Sequence, residues 1–199
     1  MIEKVAIGTA QFGFDYGVTN PHGQVPLDEV RTIVNMADNA NINTLDTASS
    51  YGVSEKVLGD IGISSWQVVT KLAPLPDNCL DITDWVQNSI DSSLDRLKID
   101  KLYALLLHRP LQLLEKRGEK LYNTLLKIKD DGYVDKIGFS IYSPDDLDSL
   151  WKYFKPDIIQ SPFNIFDQRL QTSGWLQDLF ENKIEVHARS VFLQGILLR

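Results

Sequence analysis

Short apolar runs rich in β-branched residues recur along the chain, each followed by a polar turn and then by a stretch whose apolar residues return every three or four positions. The runs are Val5–Thr9, Asn43–Thr47, Gln67–Lys71, Leu102–His108, Lys136–Ser140, Asp157–Ser161 and Ile184–Ser190. They are nearly continuous rather than alternating, which predicts parallel strands buried on both faces. Between them, Leu27, Val30, Val34 and Ala37 fall on one helical face, as do Val86, Ile90, Leu94 and Leu97. A further helix carries Leu121, Leu125 and Ile128 and is stopped by Gly132. The next has Ser143 as its cap, Pro144 in its first position, and Asp145 and Asp146 at its positive end.

Strand and helix alternating seven times imply a parallel sheet with helices outside it. A doubly wound open sheet ordinarily announces its ligand site with a glycine-rich first turn. The first turn here, GTAQFG, is not GxGxxG, and no Walker loop occurs. The expected fold is therefore α/β of the (β/α)8 TIM-barrel type, a single domain over residues 1–199, incomplete because about seven strands are present.

Composition narrows the class. With 43% hydrophobic and 24% charged residues in 199, the chain can bury one sizeable core. A net charge of −7 argues against nucleic acid or an anionic membrane surface as a partner. The longest apolar run, around Tyr103–Leu107, is too short to cross a bilayer. One cysteine, Cys79, allows no intrachain disulfide, and MIEKVAIG has no signal-peptide pattern, so a cytoplasmic location is expected. His22, His108 and His187 are dispersed, giving no metal-ligand spacing, and no GxSxG elbow is present.

In such a barrel the chemistry gathers at the C-terminal ends of the strands. Those ends read Thr9–Gln11, Asp46 followed by Tyr51, Lys71, His108, Ser140, Gln160 and Arg189. Singly each has a structural reading: Asp46 as a helix cap, Lys71 as a solvated strand end, His108 and Tyr51 as packing. Together they make one device. A phenol has an ordinary pKa of about 10, and a neighbouring ammonium, Lys71, would lower it. Asp46 would hold that ammonium, and His108 would orient a carbonyl by hydrogen bonding. Tyr51 could then act as general acid toward a carbonyl oxygen whose carbon receives a hydride.

The segments GTAQFG, LDTASSYGVSEKVLG, VVTKL, LLLHRP, KIGFS, IIQSPFNIFDQR and ARSVFLQGIL resemble, in order and over nearly the whole chain, those of the aldo-keto reductases. The resemblance implies that Asp46, Tyr51, Lys71 and His108 are the catalytic tetrad. It implies NADPH, or NADH, as a cofactor bound extended without a Rossmann motif. Ser140 and Gln160 would hold the nicotinamide carboxamide, with Thr9 and Ala10 near the nicotinamide ribose. Arg189 stands where many relatives stack an aromatic ring, and Ser190, Leu193, Gln194 and Gly195 match the loop that wraps the pyrophosphate. Phe12, Tyr16 and Arg109 are the expected substrate-pocket wall. The partner is a small-molecule carbonyl compound, and the loop FGFDYGVTNPHGQ suits a sugar-like one.

The sequence departs from the family at Ile141, where many relatives have Asn, and at Arg189. Strand eight and the adenosine-phosphate grip are not found before Arg199, which implies a piece of a longer reductase with an open barrel edge able to self-associate. Such a piece would be weakly active or inactive. Two other readings stand beside reduction. One is a Schiff-base (β/α)-barrel lyase using Lys71, opposed by the nearby carboxylate. The other is a non-catalytic, reductase-like binding subunit.

Overall fold

A sheet of seven parallel strands takes shape from the apolar runs, and the computed structural model describes it within residues 5–198. Strands β1 (Ala6–Gly8), β2 (Thr44–Asp46), β3 (Gln67–Leu72), β4 (Leu102–Leu107), β5 (Val134–Ser140), β6 (Ile158–Pro162) and β7 (Glu185–Arg189) pair side by side in chain order. The sheet curls as an incomplete (β/α)8 barrel; among the described residues β7 and β1 are not paired to each other. Register sets the site: Gly8 lies opposite Asp46, Lys71 opposite Leu106, Ser140 opposite Gln160, and Pro162 opposite Arg189.

Helices α1 (Ala10–Gly13), α2 (Leu27–Asn39), α3 (Ser54–Ile61), α4 (Ile82–Leu97), α5 (Gly118–Asp130), α6 (Asp145–Leu150), α7 (Arg169–Thr172) and α8 (Trp175–Glu181) fill the crossovers. Val30, Val34 and Ala37 bury the inner face of α2, whereas Leu27, one turn earlier, is exposed. On α4, Val86, Ile90 and Leu97 are buried, and Asp81 caps the helix by accepting from the Thr83 N–H at 2.8 Å. Gly132 ends α5 in the left-handed region, φ +87°. Pro144 precedes α6 with helical dihedrals, φ −56° and ψ −27°, while Ser143 Oγ accepts from the Asp145 N–H at 3.4 Å.

The apolar material divides in two. Most of it lies between sheet and helices, where each fully buried aliphatic side chain contributes about 1.5–3 kcal/mol. A small interior cluster, Val69, Ala104, Leu106 and Ile158 with Tyr103 against it, fills the curl. Beside that cluster is a polar knot. Glu185 accepts from Tyr103 Oη at 2.7 Å and pairs with Lys136, and its other oxygen lies 2.6 Å from His187 Nε2. His187 is thus a hydrogen-bonding partner within the knot. The knot ties β7 to β4 and β5 across β6.

The His187 ring, then Lys136 and Tyr103, hold the Glu185 carboxyl down from an ordinary 4.5 to about 2, against the opposing effect of burial. A depressed carboxyl stabilises the fold fully above its unfolded pKa, and that contribution disappears as pH falls through the folded value. Glu185→Gln should therefore flatten the pH dependence of stability between about 4.5 and about 2. Urea unfolding midpoints across that window test this; parallel profiles for both proteins would contradict it.

Candidate active site

Two glycines bring the loop after β2 to its place. The carbonyl oxygen of Tyr51 sits where a Cβ on Gly13 would be, 1.7 Å away, and a Cβ on Gly52 would lie 2.4 Å from the Gly13 carbonyl oxygen. Gly52 also has φ +54°, a region that favours glycine. The last glycine of GTAQFG and the one after Tyr51 therefore interlock. Gly13→Ala is expected to push the Tyr51 turn outward. Because ångström misplacement can cost about 10²-fold in rate, any turnover that depends on Tyr51 should fall by about that factor while the far-UV circular dichroism is kept.

The following residues, Ser54 and Glu55, fasten this turn and were not legible as site residues beyond their place in the SYGVSEKVLG segment. Ser54 Oγ donates to the Thr9 carbonyl at 3.0 Å and lies 2.9 Å from Thr9 Oγ1 and 3.1 Å from Thr47 Oγ1. Thr9 in turn donates through Oγ1 to the Asp46 carbonyl at 3.0 Å. Glu55 is buried; Oε1 accepts from Thr70 Oγ1 at 2.6 Å, and Oε2 accepts from Arg96 Nε at 2.8 Å. Helix α3 is thereby pinned to β1, β2, β3 and α4 at once.

Lys71 Nζ donates to Asp46 Oδ1 at 2.8 Å and to the Thr47 carbonyl at 2.9 Å, with only 1% of the residue exposed. The same ammonium lies 4.9 Å from the centroid of the Tyr51 ring. His108 follows β4 directly, its ring edge-on to Tyr51 at 6.2 Å, and its Nδ1 is 3.3 Å from Ser50 Oγ. Asp46, Tyr51, Lys71 and His108 thus converge from β2, β3 and β4. A lysine held as a donor to a carboxylate and a carbonyl is poorly placed to offer a lone pair, which weighs against the Schiff-base reading.

The electrostatics reverse one expectation. Burial is the dominant influence on Tyr51 and pushes its phenol above the ordinary 10; Lys71 pulls it down but does not prevail, and Asp46 raises it further. Lys71 therefore limits the rise instead of producing a net fall. Burial, then the Lys71 and Arg189 charges, lower His108 below its ordinary 6.5, so the imidazole is neutral at pH 7.

Ser140 and Gln160 are buried on neighbouring strands. Ser140 Oγ donates to Gln160 Oε1 at 3.4 Å, and Gln160 Nε2 donates to Asp46 Oδ1 at 2.8 Å. Gln160 thus turns its donor inward to Asp46. Arg189 donates to the Ile141 carbonyl at 3.0 Å and stacks on the exposed Tyr142 ring, 4.6 Å from its centroid. Thr9 is buried at the end of β1, and Ala10 starts α1. In the loop after β7, Ser190, Leu193, Gln194 and Gly195 all have positive φ. Gln194 Oε1 accepts from the Val18 N–H at 3.1 Å and its carbonyl accepts from Thr19 Oγ1 at 2.8 Å, linking this loop to the one after α1.

Phe12, expected in the pocket wall, is buried in the main core. Phe14, two residues on, stands by the site instead. Its ring is 6.2 Å from Tyr51 and 5.6 Å from Tyr16, whose own side chain is exposed. Arg109 is exposed and precedes the 3-10 turn Pro110–Leu114.

Among the described residues no helix is long and apolar enough to cross a membrane, and no group of three or more His, Cys, Asp or Glu side chains is arranged to hold a metal ion. Pyridoxal reductase from Arabidopsis thaliana is 33% identical over 149 residues, covering 64% of this chain and 39% of that protein. An aldo-keto reductase from Mycolicibacterium smegmatis is 30% identical over 145 residues, covering 69% of this chain and 50% of the relative. The chain therefore spans half or less of the length of these curated relatives. Solved structures share the fold: an aldo-keto reductase from Bacillus halodurans in its holo form superposes with a TM-score of 0.77 at 19% identity, covering 98% of this chain and 64% of that one. A Klebsiella pneumoniae aldo-keto reductase, solved in complex with NADPH, gives 0.74 at 19% identity, covering 98% and 66%. Residues 4–199 match the profile of the Aldo/keto reductase family, and the chain belongs to that family.

Proposed function

We propose that the protein is an NAD(P)H-dependent oxidoreductase that reduces an aldehyde or ketone to an alcohol, with Tyr51 as proton donor. The observation that carries this reading is the Lys71 ammonium, held at 2.8 Å by Asp46 and 4.9 Å from the ring of Tyr51. The cofactor residues fit a nicotinamide. Ser140 and Gln160 are buried polar side chains beside the tetrad; Ser140 Oγ and Gln160 Oε1, 3.4 Å apart, are the atoms a carboxamide would take up, and the loop Ser190–Gly195 lies at the same end of the sheet. A bound nicotinamide would supply the hydride.

The remaining work falls to the chain. His108, neutral at pH 7, donates through Nε2 to the carbonyl oxygen when Nδ1 accepts from Ser50 Oγ. Tyr51 gives its phenolic proton to that oxygen as the carbon gains hydride, and Lys71 stabilises the phenolate left behind. Because its pKa lies above the ordinary 10, Tyr51 stays protonated through neutral pH. Phe14 and Tyr16, edge to face at 5.6 Å, offer an aromatic corner beside Tyr51. With the Arabidopsis relative named a pyridoxal reductase, an aromatic aldehyde is the first substrate to test, with a sugar aldehyde beside it.

The test is a titration with NADPH following quenching of the four tryptophans, then NADPH consumption with each aldehyde. Saturable micromolar binding and aldehyde-dependent oxidation of NADPH are expected. Binding without turnover would favour a binding subunit. A borohydride-trapped adduct on Lys71 would overturn the reading in favour of a lyase.

A further inference from the structure

We propose that Gln160 is a positioning residue that acts through Asp46: by sharing the carboxylate oxygen that holds Lys71, it sets how strongly the Asp46–Lys71 pair acts on Tyr51. The inference rests on the reductase reading of the site. Gln160 Nε2 and Lys71 Nζ both donate to Asp46 Oδ1, each at 2.8 Å. An ionised carboxylate only accepts, so the amide must present its NH2 end to Asp46. Its oxygen then faces Ser140 Oγ at 3.4 Å, and both side chains are buried. The Gln160–Asp46 bond crosses the interior of the curl from β6 to β2, between residues 114 apart in sequence.

The consequence is electrostatic. The positive end of the amide draws part of the carboxylate's charge onto itself, in a setting where little water competes. Lys71 from β3, Asp46 from β2, Tyr16 from the loop after α1 and His108 after β4 are the titratable groups that face Tyr51. Of these, Asp46 opposes a phenolate and Lys71 favours one. Without the amide, the field of Asp46 at Tyr51 strengthens and Lys71 is drawn more firmly to its carboxylate. Both changes make the phenol a weaker acid. The side chain proposed to meet the carboxamide is therefore also the one that adjusts the proton donor.

The ζ-carbon resonance of Tyr51, assigned with Tyr51→Phe and followed through alkaline pH without nucleotide, reads this directly. Gln160→Leu and the unbranched Gln160→Met should each raise the Tyr51 midpoint by about half a pH unit or more, and Asp46→Asn should lower it. A side chain that merely fills space would leave the midpoint where it is. Unmoved midpoints in both Gln160 variants, with Asp46→Asn still lowering it, would overturn the proposal and spare the tetrad reading. Unmoved midpoints in all three would overturn both. Should the leucine variant fail to fold, the methionine variant decides alone.

Discussion

Tyr51→Phe is expected to lower kcat for NADPH-dependent carbonyl reduction by about 10³-fold, in the middle of the range for a positioned general acid. That is about 4 kcal/mol of transition-state stabilisation, at 1.36 kcal/mol per tenfold. Phenylalanine keeps the ring, so its packing against Phe14 and its edge-on placement to His108 are retained. Only the hydroxyl is lost, with the proton it would deliver. Affinity for NADPH, measured by tryptophan quenching, should change less than threefold, and KM for the aldehyde should move little. The split between kcat and binding is the diagnostic, because a proton donor acts in the transition state. A fall in kcat below about tenfold would remove Tyr51 from the proposed role.

Arg96→Ala should cost about 3 kcal/mol of stability, although its site is on α4, away from the reacting groups. Glu55 is 2% exposed and its Oε2 is held by two guanidinium nitrogens, at 2.8 and 2.6 Å. Removing the arginine leaves a buried carboxylate with Thr70 as its remaining bond, whereas Glu55→Gln replaces the charge with a neutral amide and should cost about half as much. Urea unfolding of both variants makes the comparison. A loss below about 1 kcal/mol for Arg96→Ala would mean that the pair is solvated and that α3 is held by apolar packing alone.

The strands could be read because parallel strands buried on both faces must be apolar throughout, and each observed strand lies within two residues of its apolar run at either end. The residues that converge at one end of the sheet could be read because polar side chains stand at or just past the ends of those runs. Phe12 and Phe14 could not be told apart in the same way. Both are aromatic, two residues apart, and only the short helix α1 decides that one enters the core and the other reaches Tyr51. Arg189 is similar: its position at the end of β7 was readable, but its stacking on Tyr142 depends on how the turn after Ser140 is laid against it.

By itself, the sequence determined the barrel class, the order of its strands and which side chains stand at their ends, because strand periodicity and chain order are local properties. The tertiary structure alone decided the balance of forces among those side chains. Tyr51 is a weaker acid than its lysine neighbour suggests because burial outweighs the ammonium. Asp46 serves Gln160 as well as Lys71 because β2 and β6 face one another across the curled sheet. Desolvation and cross-barrel contact arise only when distant segments pack, and no pattern along the chain encodes their magnitude.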